Sequence, residues 1–246
     1  MPSLLLWNVY NLPSVLTSTH NSSPRAHEIA RLLSAYDIVV LNEAFVNKTL
    51  LTQTGHRWVW APGRSAGCRA LLDSGLLFLS HYPMRPAGCQ VYAVRAGWDR
   101  FAAKSIARVC VEVEGIEVDV YGTHMQAGAS TSAQRARLAQ AHQVASFVRP
   151  CAHVILAGDL NMGPAMHEEH TRYSHHYVSV NDARGRCSAY EVLRHGAALA
   201  DVWAGHADVQ AQSEICRFLT RGMDGQVQYE DLPAWLSDTP AMCYRW

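Results

Sequence analysis

The chain has no excess charge of either sign: 21 lysines and arginines stand against 21 aspartates and glutamates in 246 residues. A protein that holds nucleic acid chiefly through its phosphates carries a basic excess or a basic face, so this balance speaks against that class. Long apolar runs are also missing. No stretch approaches the roughly 20 apolar residues that a helix needs to cross a bilayer, which leaves only peripheral membrane contact open. There is no CxxC pair; seven cysteines are scattered at positions 68, 89, 110, 151, 187, 216 and 243. An odd, dispersed set argues against a complete disulfide framework or a structural zinc site and makes the cytosol the expected compartment. No Ser/Gly/Pro linker, long charge block, internal repeat or low-complexity tract divides the chain, so one domain over residues 1–246 is expected. The first eight residues lack the basic flank of a secretory leader and read as a buried strand. Oligomeric state leaves no mark here.

What is present is the balance of a globular protein, 49% hydrophobic and 17% charged. Residues 4–9 read as a short buried strand. Residues 24–36 place Ala26, Ile29, Ala30, Leu32 and Leu33 at helical spacing behind Pro24. Residues 37–41 form an apolar, β-branched strand ending at Asn42 and Glu43. Residues 75–80 read as another strand, and 106–114 with 116–123 as a hairpin about Gly115. Residues 131–148 predict a helix with Ser132 as its cap, and 153–157 a strand ending in Gly158-Asp159-Leu160-Asn161. Beyond about residue 165 the pattern is not legible. Strands mixed with helices make an α/β fold.

Polar side chains recur just after the buried strands: Asn8, Glu43, His124, and Asp159 with Asn161. Singly, each has an ordinary explanation. Asn and Asp after a strand often bond their own backbone in a turn, and one histidine of 13 is weak evidence. Their shared placement is the signal, because strand ends are rigid and can aim carboxylates and amides at one point.

In this order the segments resemble the endonuclease/exonuclease/phosphatase superfamily, over about residues 3–165. Within it, four segments are similar to the neutral sphingomyelinase branch. They are Leu41-Asn42-Glu43-Ala44-Phe45, residues 72–80 beginning Leu72-Asp73-Ser74-Gly75, the Asp99 and Lys104 pair, and, more faintly, Ala200-Asp201-Val202-Trp203. The resemblance implies a two-sheet α/β sandwich of the DNase I-like kind with its active site at one edge. It also implies Mg²⁺, or Mn²⁺ in its place, clamping an anionic phosphate. Glu43 would be the direct ligand, with Asn8 completing the shell or orienting a water. Asp159 would position the attacking water, Asn161 would donate to a phosphate oxygen, and His124 and Lys104 would stabilise the charge of the transition state. Asp99 and Asp73 would lie at the substrate, as would Arg64 and Arg69 in the glycine-rich stretch 63–69. That stretch lacks the Gly-Lys-Ser/Thr ending of a phosphate loop and suits a plain surface loop better. Asp99 and Lys104 equally suit a surface ion pair.

The superfamily pattern closes with Ser-Asp-His, whose histidine activates water. Here the residues are Ser237-Asp238-Thr239, which keep a catalytic Asp238 but no base at the next position. Arg217 also stands where an acidic residue is expected. General base help is worth ~10²–10⁴ in rate, and its loss leaves several readings. One is a Mg²⁺-dependent, sphingomyelinase-like phosphodiesterase acting on a lipid or small phosphodiester, with His206, His170, His175 or His176 as substitute base. A second is an enzyme repurposed to ionise an allylic diphosphate, as a terpene synthase or lyase does, with tryptophans stabilising the cation. A third is an impaired homologue that binds a phosphate-bearing molecule without turnover. A nuclease is the fourth.

Overall fold

The structure is a computed structural model that describes residues 1–14, 16, 23–63, 70–163, 188–203, 216–230, 232 and 241–246. Its first half runs β1 (Ser3–Asn11), α1 (Ser23–Leu33), β2 (Ile38–Ala44), α2 (Lys48–Leu51), β3 (Trp58–Trp60), β4 (Leu77–Ser80) and β5 (Met84–Val91). A 3-10 turn at Gly97–Phe101 leads into β6 (Ser105–Val113), β7 (Ile116–His124), α3 (Thr131–Phe147) and β8 (Val154–Asp159). The remainder comprises α4 (Ser188–Gly196), β9 (Ala200–Asp201), β10 (Cys216–Arg221), β11 (Gln226–Glu230) and β12 (Ala241–Arg245).

The strands form two six-stranded mixed sheets, ordered β11-β12-β1-β2-β4-β3 and β5-β6-β7-β8-β10-β9. This is the expected DNase I-like α/β sandwich. Each sheet is organised about one parallel pair, β1 with β2 and β7 with β8. Parallel neighbours need a long crossover, and α1 and α3 occupy those connections.

Strands buried on both faces lose the alternation of polar and apolar residues and become continuous apolar runs. β1 and β2 do this, and their two faces serve two cores. Leu4, Leu6, Ile38 and Val40 face the other sheet and meet Val109, Val111, Val118, Val120 and Ile155. Leu5, Trp7, Val9, Val39 and Leu41 face outward and are covered by Ala26, Ile29 and Leu33. The helical spacing read in residues 24–36 is therefore the cover of the first sheet.

The sheets approach closely where Gly122 lies. A Cβ there would stand 2.5 Å from the Phe78 ring and 3.0 Å from Val40. At the β6–β7 hairpin, Glu114 and Gly115 have φ of 52° and 83°, the two positive angles that the tightest hairpins require. One capping expectation is corrected. The α3 cap is Ser130, whose hydroxyl accepts from Ala133 N at 3.2 Å, and Ser132 lies inside the first turn. Ser130 has the extended backbone a cap needs.

Candidate active site

Parallel strands point their carboxyl ends the same way, so β1 and β2 in one sheet and β7 and β8 in the other deliver residues of their C-terminal halves to one edge of the sandwich; Asn8 lies inside β1, which runs on to Asn11. In register, Asn8 pairs with Asn42 and His124 with Asp159. The two sheets are then joined by side chains. Asn8 Nδ2 donates to Glu43 Oε1 at 3.0 Å and to Asp159 Oδ2 at 2.9 Å. One amide thus holds two carboxylates from different sheets.

Glu43 reaches this position by a backbone turn. Strand alternation would send it to the same face as Leu41, toward α1. Its φ of 55° lies in the left-handed region, which costs a non-glycine residue on the order of 1 kcal/mol and gathers at functional sites. Asn161, at φ 52°, is turned in the same way. Its N–H donates to Asp159 Oδ1 at 3.0 Å, and its Nδ2 donates to Met125 O at 3.0 Å.

Lys104, buried at the start of β6, donates to Asp99 Oδ2 at 2.8 Å, to His124 Nε2 at 3.0 Å and to Met125 O at 3.0 Å. A lysine ammonium has only donors, so His124 Nε2 accepts and the ring is neutral with its proton on Nδ1. His124 Nε2 lies 3.8 Å from Glu43 Oε1 and 3.9 Å from Asp159 Oδ2. His124 Nδ1 and Asn161 Oδ1 are buried and have no hydrogen-bond partner among the described residues.

The electrostatics follow from placing two carboxylates and a cation out of water. Burial raises Glu43 to about 7, and the nearby Asp159 charge adds to this, while the Asn8 hydrogen bond and Lys104 pull the other way. Burial likewise raises Asp159 against the opposing pull of Asn8 and Lys104. His124 is held well below its ordinary value by burial first and by the Lys104 charge second. These are the conditions in which a divalent cation is welcome: two oxygen-donor carboxylates that resist charging alone, beside the buried acceptor Asn161 Oδ1. No cluster of three or more His, Cys, Asp or Glu side chains with ligand geometry occurs among the described residues.

Asn8, Glu43, Lys104, His124, Asp159 and Asn161 therefore form one connected network, with Asp99 at its border. Asp73 is placed elsewhere in the bonding pattern. Its Oδ1 accepts from Gly75 N at 2.9 Å and its Oδ2 from Lys48 Nζ, which fixes the turn before β4. Arg64, Arg69, Asp238, Thr239 and the histidines at 170, 175, 176 and 206 lie outside the described residues. Arg217 needs a correction. It pairs in register with Gly158 and bonds Asp201 Oδ2 at 2.8 Å, whereas Cys216 is the residue opposite Asp159. A one-residue shift in a strand moves a side chain to the other face, so Cys216 occupies the site-facing position.

Asn42 was not singled out from the sequence, and it organises the site from below. Its Nδ2 donates to Thr123 O at 3.0 Å, and its Oδ1 accepts from Asp159 N at 2.9 Å. A fully buried amide thereby stitches β2 to β7 and β8. The available signal was an Asn inside an otherwise apolar strand, next to a candidate ligand.

The arrangement can be set beside known proteins. Residues 5–205 match the model of the Endonuclease/Exonuclease/phosphatase family. Sphingomyelin phosphodiesterase 2 of Mus musculus is 25% identical over 187 residues, which are 67% of this chain and 45% of that protein. The chain spans about half the length of the curated relatives it matches. A crystal structure of beta toxin 275–280 from Staphylococcus aureus superposes with a TM-score of 0.74 at 19% identity, covering 100% of this chain and 99% of that one. A Staphylococcus aureus beta toxin F277A, P278A mutant with bound magnesium ions superposes with a TM-score of 0.69 at 18% identity, covering 98% of each chain. The shared sandwich, and a family match that embraces all four site-bearing strand ends, lead to one conclusion: the chain belongs to the endonuclease/exonuclease/phosphatase family.

Proposed function

We propose that this chain is a Mg²⁺-dependent phosphodiesterase that cleaves a lipid phosphodiester of the sphingomyelin type. The observation that carries the reading is the Asn8 amide joining Glu43 and Asp159 across the two sheets, with Lys104 and His124 beside them. The name of the mouse relative supports the substrate class, and the neutral net charge weighs against nucleic acid.

Glu43 would hold the metal ion, and Asn8 keeps its carboxylate in place. When bound, Mg²⁺, or Mn²⁺ in its stead, supplies positive charge to a phosphate oxygen. The protein groups do the remainder. Asp159 is oriented by Asn8 and by the Asn161 N–H, and its carboxylate accepts a hydrogen bond from the attacking water and aims it. Asn161 has one N–H beyond the one that Met125 O engages, and this is a donor to a phosphate oxygen. Lys104 lends its charge to the developing trigonal bipyramid and keeps His124 neutral, so that the ring acts as a hydrogen-bond partner without adding a second cation. Donors fixed in advance at a dry site need no reorganisation during reaction.

The test is to incubate the purified chain and Mg²⁺ with sphingomyelin, single- and double-stranded DNA, and farnesyl diphosphate, and to identify products by mass spectrometry. Phosphocholine and ceramide are expected. Products from DNA alone, or from the allylic diphosphate alone, would replace this reading with a nuclease or a lyase.

A further inference from the structure

The 3-10 turn Gly97–Phe101 has two faces. Inward, Asp99 Oδ2 accepts from Lys104 Nζ at 2.8 Å and from Ala127 N at 2.7 Å, and Lys104 in turn bonds His124. Outward, Trp98 is 82% exposed. Leu71, 73% exposed, is clipped to the turn by its N–H bond to Phe101 O at 2.9 Å. The Trp98 and Phe101 rings lie 5.8 Å apart, and the Arg100 guanidinium sits 5.0 Å above the Phe101 ring. Trp98, Gly97, Arg100 and Phe101 line a shallow cleft of about 230 Å³.

A tryptophan and a leucine held in water at the border of a buried ionic network call for a partner. Small-molecule pockets start at about 300 Å³ and bury most of their ligand, which this open cleft does not do. A stable protein interface takes about 800 Å² and 20–30 residues from each side; one five-residue turn and a leucine fall far short. A lipid–water interface fits the chemistry. Tryptophan partitions into the headgroup layer, leucine reaches the acyl boundary, and an arginine beside them meets lipid phosphates.

We propose that the Gly97–Phe101 turn with Leu71 is a lipid-docking element that inserts Trp98 and Leu71 into a phospholipid surface, with Arg100 at the phosphates. The turn is two hydrogen bonds from His124, so docking brings the reacting edge of the sandwich to the headgroup layer. The inference rests on the reading of the site as a lipid phosphodiesterase.

The experiment uses the full chain with Mg²⁺, vesicles of sphingomyelin and phosphatidylcholine, and a water-soluble p-nitrophenyl phosphorylcholine. Trp98→Ser and Leu71→Ser remove side chains that bear no core contact, and the double variant is compared with wild type. Co-sedimentation with vesicles is expected to fall at least tenfold and vesicle hydrolysis with it, while hydrolysis of the soluble ester stays within twofold. Equal sedimentation of variant and wild type, or no sedimentation of wild type, overturns the docking element. Sedimentation that depends on Trp98 and Leu71, with neither ester cleaved, keeps the docking element and removes the phosphodiesterase reading.

Discussion

Glu43 and Asp159 share one amide donor, and among the described residues neither is paired with a lysine or arginine of its own. Replacing Glu43 by Gln removes a buried charge without changing shape. Activity is expected to drop by at least ~10²-fold, the scale on which a single electrostatic contact at a reacting centre is felt. Thermal stability of the metal-free protein should move the other way, because a functional carboxylate in a dry site is maintained against the fold. Melting curves in chelator, together with rates in Mg²⁺, check both halves; a metal-free variant that melts lower than wild type would contradict the account. Thr239 poses the complementary question. Thr239→His would place an imidazole after Asp238, and if the histidine position has been identified correctly, sphingomyelin hydrolysis should rise by about 10² or more. Unchanged rates and products would show that the C-terminal correspondence is wrong. Asn8, Glu43, Asp159 and Asn161 were legible because each comes at the end of a readable apolar run, although the strands themselves extend past Asn8 and Glu43. Asn42 was not, since an amide within a strand resembles a misplaced polar residue until its two partners on the other sheet are seen.

At the scale of elements, the Asn42 side chain hydrogen-bonds β2 to both β7 and β8, through Thr123 O and Asp159 N. Asn42→Ala removes both hydrogen bonds from a fully buried position. Each such bond lost costs about 1–3 kcal/mol, so a loss of roughly 2–4 kcal/mol is expected. The midpoint of urea unfolding reads it directly. Near the end of α1, His56 bonds Thr54 Oγ1 through Nδ1 and donates at Nε2 to Tyr36 O at 2.9 Å. Burial lowers its pKa below 6.5, the stacked His81 ring at 4.0 Å adds to this, and Asp37 and the Tyr36 carbonyl oppose it. The folded state therefore binds this proton less readily than the unfolded chain. Stability is complete above about pH 6.5 and is lost as pH falls from there toward the lowered value. Urea midpoints at pH 7.5 and 5.5 should differ more in wild type than in His56→Gln, and equal differences would contradict the assignment. The α1, β2, β4, hairpin, α3 and β8 segments followed from periodicity and turn residues. β3, β5 and β9 did not, because a three-residue strand, a strand with Pro86 and Gly88, and a two-residue strand carry no period to read.

For the whole molecule, chelation is the broadest test. Activity should vanish in EDTA and return with Mg²⁺ or Mn²⁺ but not Zn²⁺, since the available donors are oxygens. Mg²⁺ at about 100 times its dissociation constant should stabilise the fold by about 2.7 kcal/mol. Full activity in EDTA would end the metal-dependent reading. Among the described residues no helix is long and apolar enough to cross a membrane. The amino-acid sequence by itself determined the buried strands and the polar residues that close them, because burial on both faces writes continuous apolar runs and strand ends are marked by the first polar side chain; which of those strands pair in parallel came from the tertiary structure. The sequence also determined the order of those residues, which carries the family. Only the tertiary structure decided that Asn8 faces two carboxylates, that Lys104 sets the His124 tautomer, and that Cys216 rather than Arg217 stands opposite Asp159. Those outcomes depend on left-handed turns at Glu43 and Asn161 and on the register between β8 and β10. A backbone angle and a one-residue register are settled by packing across the two sheets, at separations along the chain that no local pattern encodes.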